Sequence, residues 1–195
     1  MASQTKPRYT PKEYLAIERD SEGRSEYFGG EIFAMSGASE RHNLIVTNVV
    51  RELSLQMKGK PCKVYSSDMR VKVNATGLYT YPDVVALCGK ARFDDEHKDT
   101  LVNPMVIIEV LSQSTEAYDR GQKFEHYRKV DSLNEYLLVS QEKHHVEHYV
   151  RQPGNHWLLS EASSLEDTIR LPSINSALAL SEIYDKVEIE TQTEG

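Results

Sequence analysis

The amino-acid sequence predicts an α/β fold with a mixed central β-sheet flanked by helices. Short strand-like runs alternate with two long amphipathic segments along the 195 residues. Two of those runs, 84–87 and 106–108, are continuously apolar, as in strands that are covered on both faces. No repeat or linker interrupts the chain. We therefore expect a single domain over residues 1–195, ordered from about 10 to 185, with a polar acidic tail at 186–195.

The first predicted elements are a helix and a hairpin. Thr10 and Glu13 form a capping box with Pro11 at the first helical position, which predicts a helix to about Arg19. Strand-like runs at 25–28 and 31–35 flank two glycines, which accept the positive φ of a tight hairpin. These elements form an N-terminal addition to the main sheet.

A long helix and most of the strands follow. Ser39 is the expected N-cap, apolar residues recur at helical spacing as far as Met57, and Gly59 and Pro61 end the helix. Strands are predicted at 62–66, 69–73, 81–87 and 105–111, and a second helix at about 118–130. Further strands are predicted at 135–140, 145–151 and 157–160, before one helical turn at 181–184.

Cysteine usage and hydropathy bear on the compartment. Cys62 and Cys88 lack C-x-x-C spacing, so we expect neither a disulfide framework nor a thiolate zinc site, and a reducing compartment. The first seven residues are polar, and no run approaches the ~20 apolar residues that span a bilayer. We expect a cytoplasmic protein with no membrane partner.

The net charge of −7 argues against a nucleic-acid partner, but the charge is unevenly distributed. Residues 160–195 contain eight acidic residues against Arg170 and Lys186, which leaves the remainder at about −1. In that remainder, a basic stripe opposes only Asp68; its members are Lys58, Lys60, Lys63, Arg70 and Lys72. The stripe is either a phosphate-binding surface or an ordinary solvated one.

Two acidic residues stand in or next to apolar runs. Asp83 opens one predicted strand and Glu109 lies near the end of another, where an unpaired ionised side chain would cost several kcal/mol. On neighbouring strands, the two would converge on a hard cation, and Mg²⁺ binds one or two carboxylates, several waters and substrate phosphates. The alternatives are a turn role for Asp83 and an ion pair between Glu109 and Lys123.

The second long helix contributes a candidate cation. Asp119, Lys123 and Tyr127 are spaced at i, i+4 and i+8, so they share one helical row. A helix that returns over the strand of Glu109 could direct Lys123 to the metal, where its ammonium would neutralise developing charge. The alternative is an exposed Asp119–Lys123 pair with Tyr127 packed on the sheet.

The ordered set of these residues resembles the Uma-type family of restriction endonuclease-like proteins, which is abundant in cyanobacteria and lies within the PD-(D/E)XK nuclease superfamily. The resemblance covers roughly residues 10–185. The matching positions are Glu26, Gly30-Glu31-Ile32, His42, Pro82-Asp83, residues 107–112 with Ser114-Thr115, Asp119-Arg120, Lys123, Tyr127 and Glu135-Tyr136.

The resemblance implies a restriction-endonuclease-like fold with a four-stranded mixed core sheet. It further implies that Asp83 and Glu109 bind Mg²⁺ or Mn²⁺ and that Glu26 supplies the additional acid of such sites. Leu111 occupies the position of the superfamily's lysine, so Lys123 would have to replace it from the following helix. His42 and Tyr127 are accessory candidates, and for His42 a structural role is the alternative.

These expectations together predict a metal-dependent endonuclease that hydrolyses phosphodiester bonds, with DNA favoured over RNA as the partner. A homodimer is expected for such an enzyme because cutting two strands needs two sites. One alternative is a nucleic-acid-binding or regulatory module that keeps the fold without turnover. Another is a metal-dependent hydrolase of a small phosphorylated molecule.

Overall fold

Strands alternate with helices along residues 7–189, the part of the chain that this computed structural model describes. The α-helices are α1 (Pro11–Asp20), α2 (Glu40–Met57), α3 (Glu116–Tyr118), α4 (Phe124–Tyr127) and α5 (Leu180–Ile183). A π-helical segment, Asp119–Lys123, joins α3 to α4, and short 3-10 helices lie at Pro153–Asn155 and Pro172–Ile174. The strands are β1 (Ser25–Phe28), β2 (Glu31–Ala34), β3 (Cys62–Ser66), β4 (Arg70–Val73), β5 (Leu78–Thr80), β6 (Val84–Cys88), β7 (Thr100–Leu101), β8 (Val106–Leu111), β9 (Glu135–Ser140), β10 (Val146–Arg151), β11 (Trp157–Ala162), β12 (Thr168–Leu171) and β13 (Ser176–Ala179).

The central sheet has six strands in the order β11-β10-β9-β8-β6-β3. Strands β8 and β9 are parallel and the other neighbours are antiparallel, so the sheet is mixed. One face packs on the apolar side of α2 and on the β12–β13 hairpin, and the other packs on Phe124 and Tyr127. This layering explains why β6 and β8 are apolar in sequence on both faces.

A second sheet carries the N-terminal elements, in the order β2-β1-β5-β4-β7. Helix α1 begins with the predicted capping box and packs Tyr14 against Tyr27 and Tyr79 of this sheet. Strand β5 belongs to this second sheet and β6 belongs to the central one. The chain therefore crosses between the two sheets at residues 81–83, which brings Asp83 to their junction.

The fold class is as predicted, but three details are not. The central sheet has six strands rather than four. The helix predicted at 118–130 consists of α3, the π-helical segment and α4, and ends at Tyr127. Four strands, β5, β7, β12 and β13, have no counterpart in the prediction, because each is only two to four residues long and lacks a strong pattern.

The two cysteines form a disulfide, so the prediction that excluded a disulfide framework was wrong. Cys62 and Cys88 are 26 residues apart in sequence, but β3 and β6 pair in a register that sets them directly opposite each other. Sequence spacing alone does not show such a cross-strand neighbour. The cysteine argument for a reducing compartment therefore loses its basis. No helix within residues 7–189 has the length and apolar character needed to cross a membrane.

The basic stripe and the acidic tail also differ from expectation. Arg70 is buried against Tyr81, Thr100 and Asp99, and Lys72 pairs with Asp94, so the stripe is not a continuous surface. The described chain extends past 185, where Val187 packs into the core beside α2. The rest of the predicted tail, 190–195, lies outside the described residues, as do residues 1–6.

Candidate active-site cleft

A cleft of about 1120 Å³ opens at the junction of the two sheets, and Asp83 and Glu109 lie in it. Val84 pairs with Ile108, so continuing the antiparallel register by one residue sets Asp83 opposite Glu109. The backbone N–H of Asp83 donates to Glu109 Oε2 at 3.3 Å, and that of Val110 donates to Asp83 Oδ2 at 2.7 Å. The two carboxylates therefore lie side by side on neighbouring chain segments.

Lys123 reaches the same point from the π-helical segment, which crosses the face of the sheet that carries Glu109. Its Nζ lies 2.9 Å from Glu109 Oε1, 3.4 Å from Asp119 Oδ1 and 3.5 Å from Glu26 Oε1. Asp119, Lys123 and Glu109 are each buried. The ammonium is thus shared by three carboxylates and is not an exposed surface pair with Asp119.

Hydroxyl groups hold the carboxylates around Lys123 in place. Tyr127 donates to Glu109 Oε1 at 2.8 Å from one turn further along the helix. Thr80, at the end of β5, donates to Glu26, and Tyr118 donates to the other oxygen of Glu26 at 3.4 Å. Because Glu109 and Glu26 are each restrained by at least one neutral donor, these two side chains keep fixed orientations in the cleft.

His42 approaches Asp83 from the opposite side of the cleft. It lies in the first turn of α2, where the Ser39 hydroxyl accepts from its backbone N–H as the helix cap. Its Nε2 is 2.9 Å from Asp83 Oδ1. The His42 side chain is 15% exposed and that of Asp83 is 16% exposed. The cap therefore sets the position from which the imidazole orients Asp83.

Burial and mutual repulsion make the acidic cluster electrostatically unfavourable. Burial, followed by the charges of Asp119 and Asp83, raises the pKa of Glu109 to about 8, although Lys123 opposes the rise. Burial also raises the pKa of Asp119. Burial would lower the pKa of Lys123, but Glu109, Glu26 and Asp119 together hold it well above its ordinary value. A proton or an added cation would therefore reduce the repulsion among these carboxylates.

The donor set fits a hard divalent cation. Asp83, Glu109, Glu26 and Asp119 supply carboxylate oxygens with a single buried ammonium between them, so the cluster carries excess negative charge. Within residues 7–189 no three His, Cys, Asp or Glu side chains are gathered as a ready-made metal site. Mg²⁺ does not require one, since it keeps several waters and uses one or two carboxylates. Asp83 and Glu109 are the pair that would hold such an ion.

All six residues singled out from the sequence meet in this cleft or at its floor: Glu26, His42, Asp83, Glu109, Lys123 and Tyr127. Three participants were missed as site residues: Asp119, Tyr118 and Thr80. Asp119 had signals, its spacing of four from Lys123 and its place among the positions that match the family, but it was not named as a site candidate. Thr80 had none, because the three-residue strand that carries it merges in sequence with Tyr81 and Pro82.

Comparison with known proteins places the chain among bacterial relatives. It is 38% identical over 152 residues to "Uncharacterized protein sll1609" of Synechocystis sp., covering 78% of this chain and 86% of the relative. It is 34% identical over 178 residues to "Uncharacterized protein slr1290" of the same organism, covering 91% and 92%.

A solved structure shares the fold. It is described as "a putative nuclease belonging to DUF820", from Anabaena variabilis, and it superposes with a TM-score of 0.72 over 91% of this chain and 98% of that one. At 18% identity this likeness shows the fold alone. A family model described as "Uma2: Putative restriction endonuclease" matches residues 11–181, which include every residue of the cleft named above. The chain therefore belongs to the Uma2 family.

Proposed function

We propose that this protein is a divalent-metal-dependent nuclease that hydrolyses phosphodiester bonds in DNA. The observation that carries the proposal is the pairing of Asp83 with Glu109 on neighbouring segments, with the Lys123 ammonium 2.9 Å from Glu109. Membership of a family described as "Putative restriction endonuclease" supports the same reaction class. Likeness of fold alone would not support a reaction class, because one fold hosts many functions.

Each side chain has a role in the proposed reaction. A Mg²⁺ or Mn²⁺ ion held by Asp83 and Glu109 would supply Lewis-acid activation of the phosphoryl group and of water. A water oxygen forms a bond to phosphorus while the P–O bond to the leaving nucleoside breaks. The products are a phosphate monoester and an alcohol. Lys123 neutralises charge that develops on the phosphoryl oxygens, and Glu26 fixes the ammonium from the side of the hairpin.

The accessory residues act on these groups rather than on the substrate. Tyr127 restrains the Glu109 oxygen that also contacts Lys123, and His42 restrains Asp83. Their part in the proposal is to fix the two carboxylates at the spacing that a shared ion needs.

The need for the proposed homodimer depends on which substrate the protein cleaves. Two copies are needed to cut both strands of a duplex at one place, so the proposed homodimer belongs to a duplex substrate and is not required for a single strand. Light scattering on the purified protein, with and without duplex DNA, measures the oligomeric state directly.

The experiment is a cleavage assay on supercoiled DNA, single-stranded DNA and RNA, with Mn²⁺ or with EDTA. We expect wild-type protein to cleave DNA only with the metal and Asp83→Asn to be inactive. Asp20→Asn, which removes an exposed carboxylate at the end of α1, is the matched control and should cleave like wild type. Cleavage that persists in EDTA, or that Asp83→Asn retains, would show that another site or a contaminant acts. Binding without cleavage would favour a regulatory module.

A further inference from the structure

The β1–β2 hairpin presents apolar side chains next to the carboxylate cluster. Phe33 is the cross-strand partner of Glu26, and directly opposite residues of an antiparallel pair share a face. The backbone N–H of Met35 donates to the carbonyl of Arg24 at 2.9 Å, which continues this face by one pair. Glu26, Phe33 and Met35 all line the cleft that holds Asp83. We call Phe33 and Met35 the apolar wall. The wall therefore lies beside Glu26, which contacts Lys123.

The apolar wall is open to the cleft. Phe33 is 48% exposed and Met35 38%, whereas Tyr27, on the other face of the hairpin, is 5% exposed. Phe28 packs edge-on against His126 with centroids 4.6 Å apart, but within residues 7–189 Phe33 has no ring contact. Proteins that bind unpaired nucleic acid use open aromatic faces of this kind to stack bases.

The charge of the cleft argues against a firmly held duplex. Among the described residues that line it, six are acidic and three carry a permanent positive charge, Arg24, Arg41 and Lys123. Arg24 pairs with Asp68 at 3.0 Å, Arg41 with Glu142 at 3.4 Å, and Lys123 lies among carboxylates. Duplex binding depends on many phosphate contacts, which these cations are poorly placed to supply. An unpaired strand brings one row of phosphates and adds base stacking.

We propose that the apolar wall takes the base of an unpaired nucleotide, so that the cleft favours single-stranded or frayed DNA over intact duplex. The inference rests on the proposed nuclease function and names its substrate class. Phe33 contacts the base and acts as a specificity residue. The phosphodiester of the stacked nucleotide then faces Asp83, Glu109 and Lys123, which share the cleft with the wall.

A binding experiment without hydrolysis tests this. Single-stranded and duplex oligonucleotides that contain 2-aminopurine are titrated with protein in Ca²⁺, without Mg²⁺ or Mn²⁺. We expect the wild-type protein to quench the 2-aminopurine fluorescence of the single strand. Phe33→Ala should lose this quenching and bind the single strand roughly 5- to 100-fold more weakly. Phe33→Trp should retain both the fluorescence quenching and the binding affinity. Leu55→Ala, which truncates a 64% exposed side chain on α2 away from the cleft, should match wild type.

Several outcomes would overturn the inference. The inference fails if wild type and Phe33→Ala bind the single strand equally well, or if Phe33→Ala loses as much affinity for duplex as for single strand. It also fails if the wild-type protein does not bind the single strand. A dimer that Phe33→Ala converts to monomer in light scattering would assign the wall to a second copy of the chain. If wild type cleaves DNA and Phe33→Ala keeps the same ratio of single-strand to duplex cleavage, the inference fails and the nuclease proposal stands. Phe33-dependent quenching without any cleavage in Mn²⁺ would leave the inference standing and the nuclease proposal wrong.

Discussion

Lys123 lies within 3.5 Å of the carboxylates of Glu109, Asp119 and Glu26, and its side chain is 7% exposed. A lysine buried this deeply needs anionic partners, because burial of an unpaired charge costs several kcal/mol. The three carboxyl groups satisfy the ammonium, and when all three are ionised one cation does not neutralise them. In the proposed reaction the residue would therefore supply a fixed positive charge, within a cluster whose remaining negative charge would favour a bound cation.

Replacing Lys123 by Met should abolish most of the proposed activity. Met keeps the apolar stem and removes the ammonium, so charge that develops on the phosphoryl oxygens loses its neutralising partner. We expect the single-turnover cleavage rate at saturating Mn²⁺ to fall by about 10²-fold or more, while Mn²⁺ still raises the melting temperature. Lys12→Met, at an exposed position on α1, is the matched control. Equal rates for Lys123→Met and wild type would reduce Lys123 to a structural ion pair.

Glu109 should make stability depend on pH when no divalent cation is present. Burial, then Asp119 and Asp83, raises its pKa from 4.5 to about 8 in the folded protein. Between these values the folded state binds a proton that the unfolded state has lost, so the contribution of Glu109 to the free energy of unfolding falls as pH rises. Below about pH 4.5 that contribution is fully present.

Chemical denaturation in EDTA, at several pH values from about 5 to 8, measures this dependence. Glu109→Gln mimics the protonated carboxyl, so its free energy of unfolding relative to wild type should rise steadily with pH. A difference that stays constant over the range would mean that Glu109 is ionised throughout. It would also mean that Lys123 outweighs the effect of burial.

Helices and strands with strong local signals could be predicted from the sequence nearly to the residue. The capping box of Thr10 and Glu13 set the start of α1, Ser39 set the start of α2, and alternating or continuous apolar runs set β3 and β9. The strand predicted at 81–87 began too early, because Tyr81, Pro82 and Asp83 form the crossing between two sheets. No local pattern shows a change of sheet. The π-helical segment was missed for a similar reason, since it depends on how the helix docks.

Helix α2 is fixed to the C-terminal segment by one buried amide. Asn48 Nδ2 donates to the carbonyls of Ile183 and Asp185 at 3.1 and 2.9 Å. Asn48→Ala leaves two carbonyls without this donor, so we expect the free energy of unfolding to fall by about 1–3 kcal/mol. Asn43→Ala, on the same helix but exposed, should cost less, and denaturant titration compares the two. Equal losses would mean that the buried bonds of Asn48 contribute no more to stability than the exposed bond that Asn43 donates to the Ser39 carbonyl.

Chain crossings assemble the cleft from distant parts of the sequence. Glu26 comes from the N-terminal hairpin, His42 from α2 and Asp83 from the crossing between the sheets, while Glu109 and Lys123 come from β8 and the helix that follows it. The order of these residues could be recognised in the sequence by family resemblance, which also implied that they share one site. The contacts that bring them together could not be derived from the sequence, because they depend on the pairing of β6 with β8 and on the packing of both layers.

The Cys62–Cys88 disulfide should stabilise the whole fold, because it closes a loop of 26 residues across β3 and β6. Reduction, or the double change Cys62→Ser and Cys88→Ser, should lower the free energy of unfolding by about 2–4 kcal/mol, mainly by freeing the unfolded chain. Denaturant titration with and without a reducing agent measures the difference. Alkylation of both cysteines in unfolded, unreduced protein would contradict the disulfide, and mass spectrometry detects it.

The central claim is that Asp83 and Glu109 together hold a divalent cation. The melting temperature, measured with and without Mn²⁺ for wild type, Asp83→Asn and Asp20→Asn, tests it most directly. A cation that binds only the folded site relieves the repulsion between the two carboxylates and raises the melting temperature. We predict a rise for wild type and Asp20→Asn and none for Asp83→Asn. Equal rises in all three proteins would contradict the account and place the bound ion elsewhere on the acidic chain.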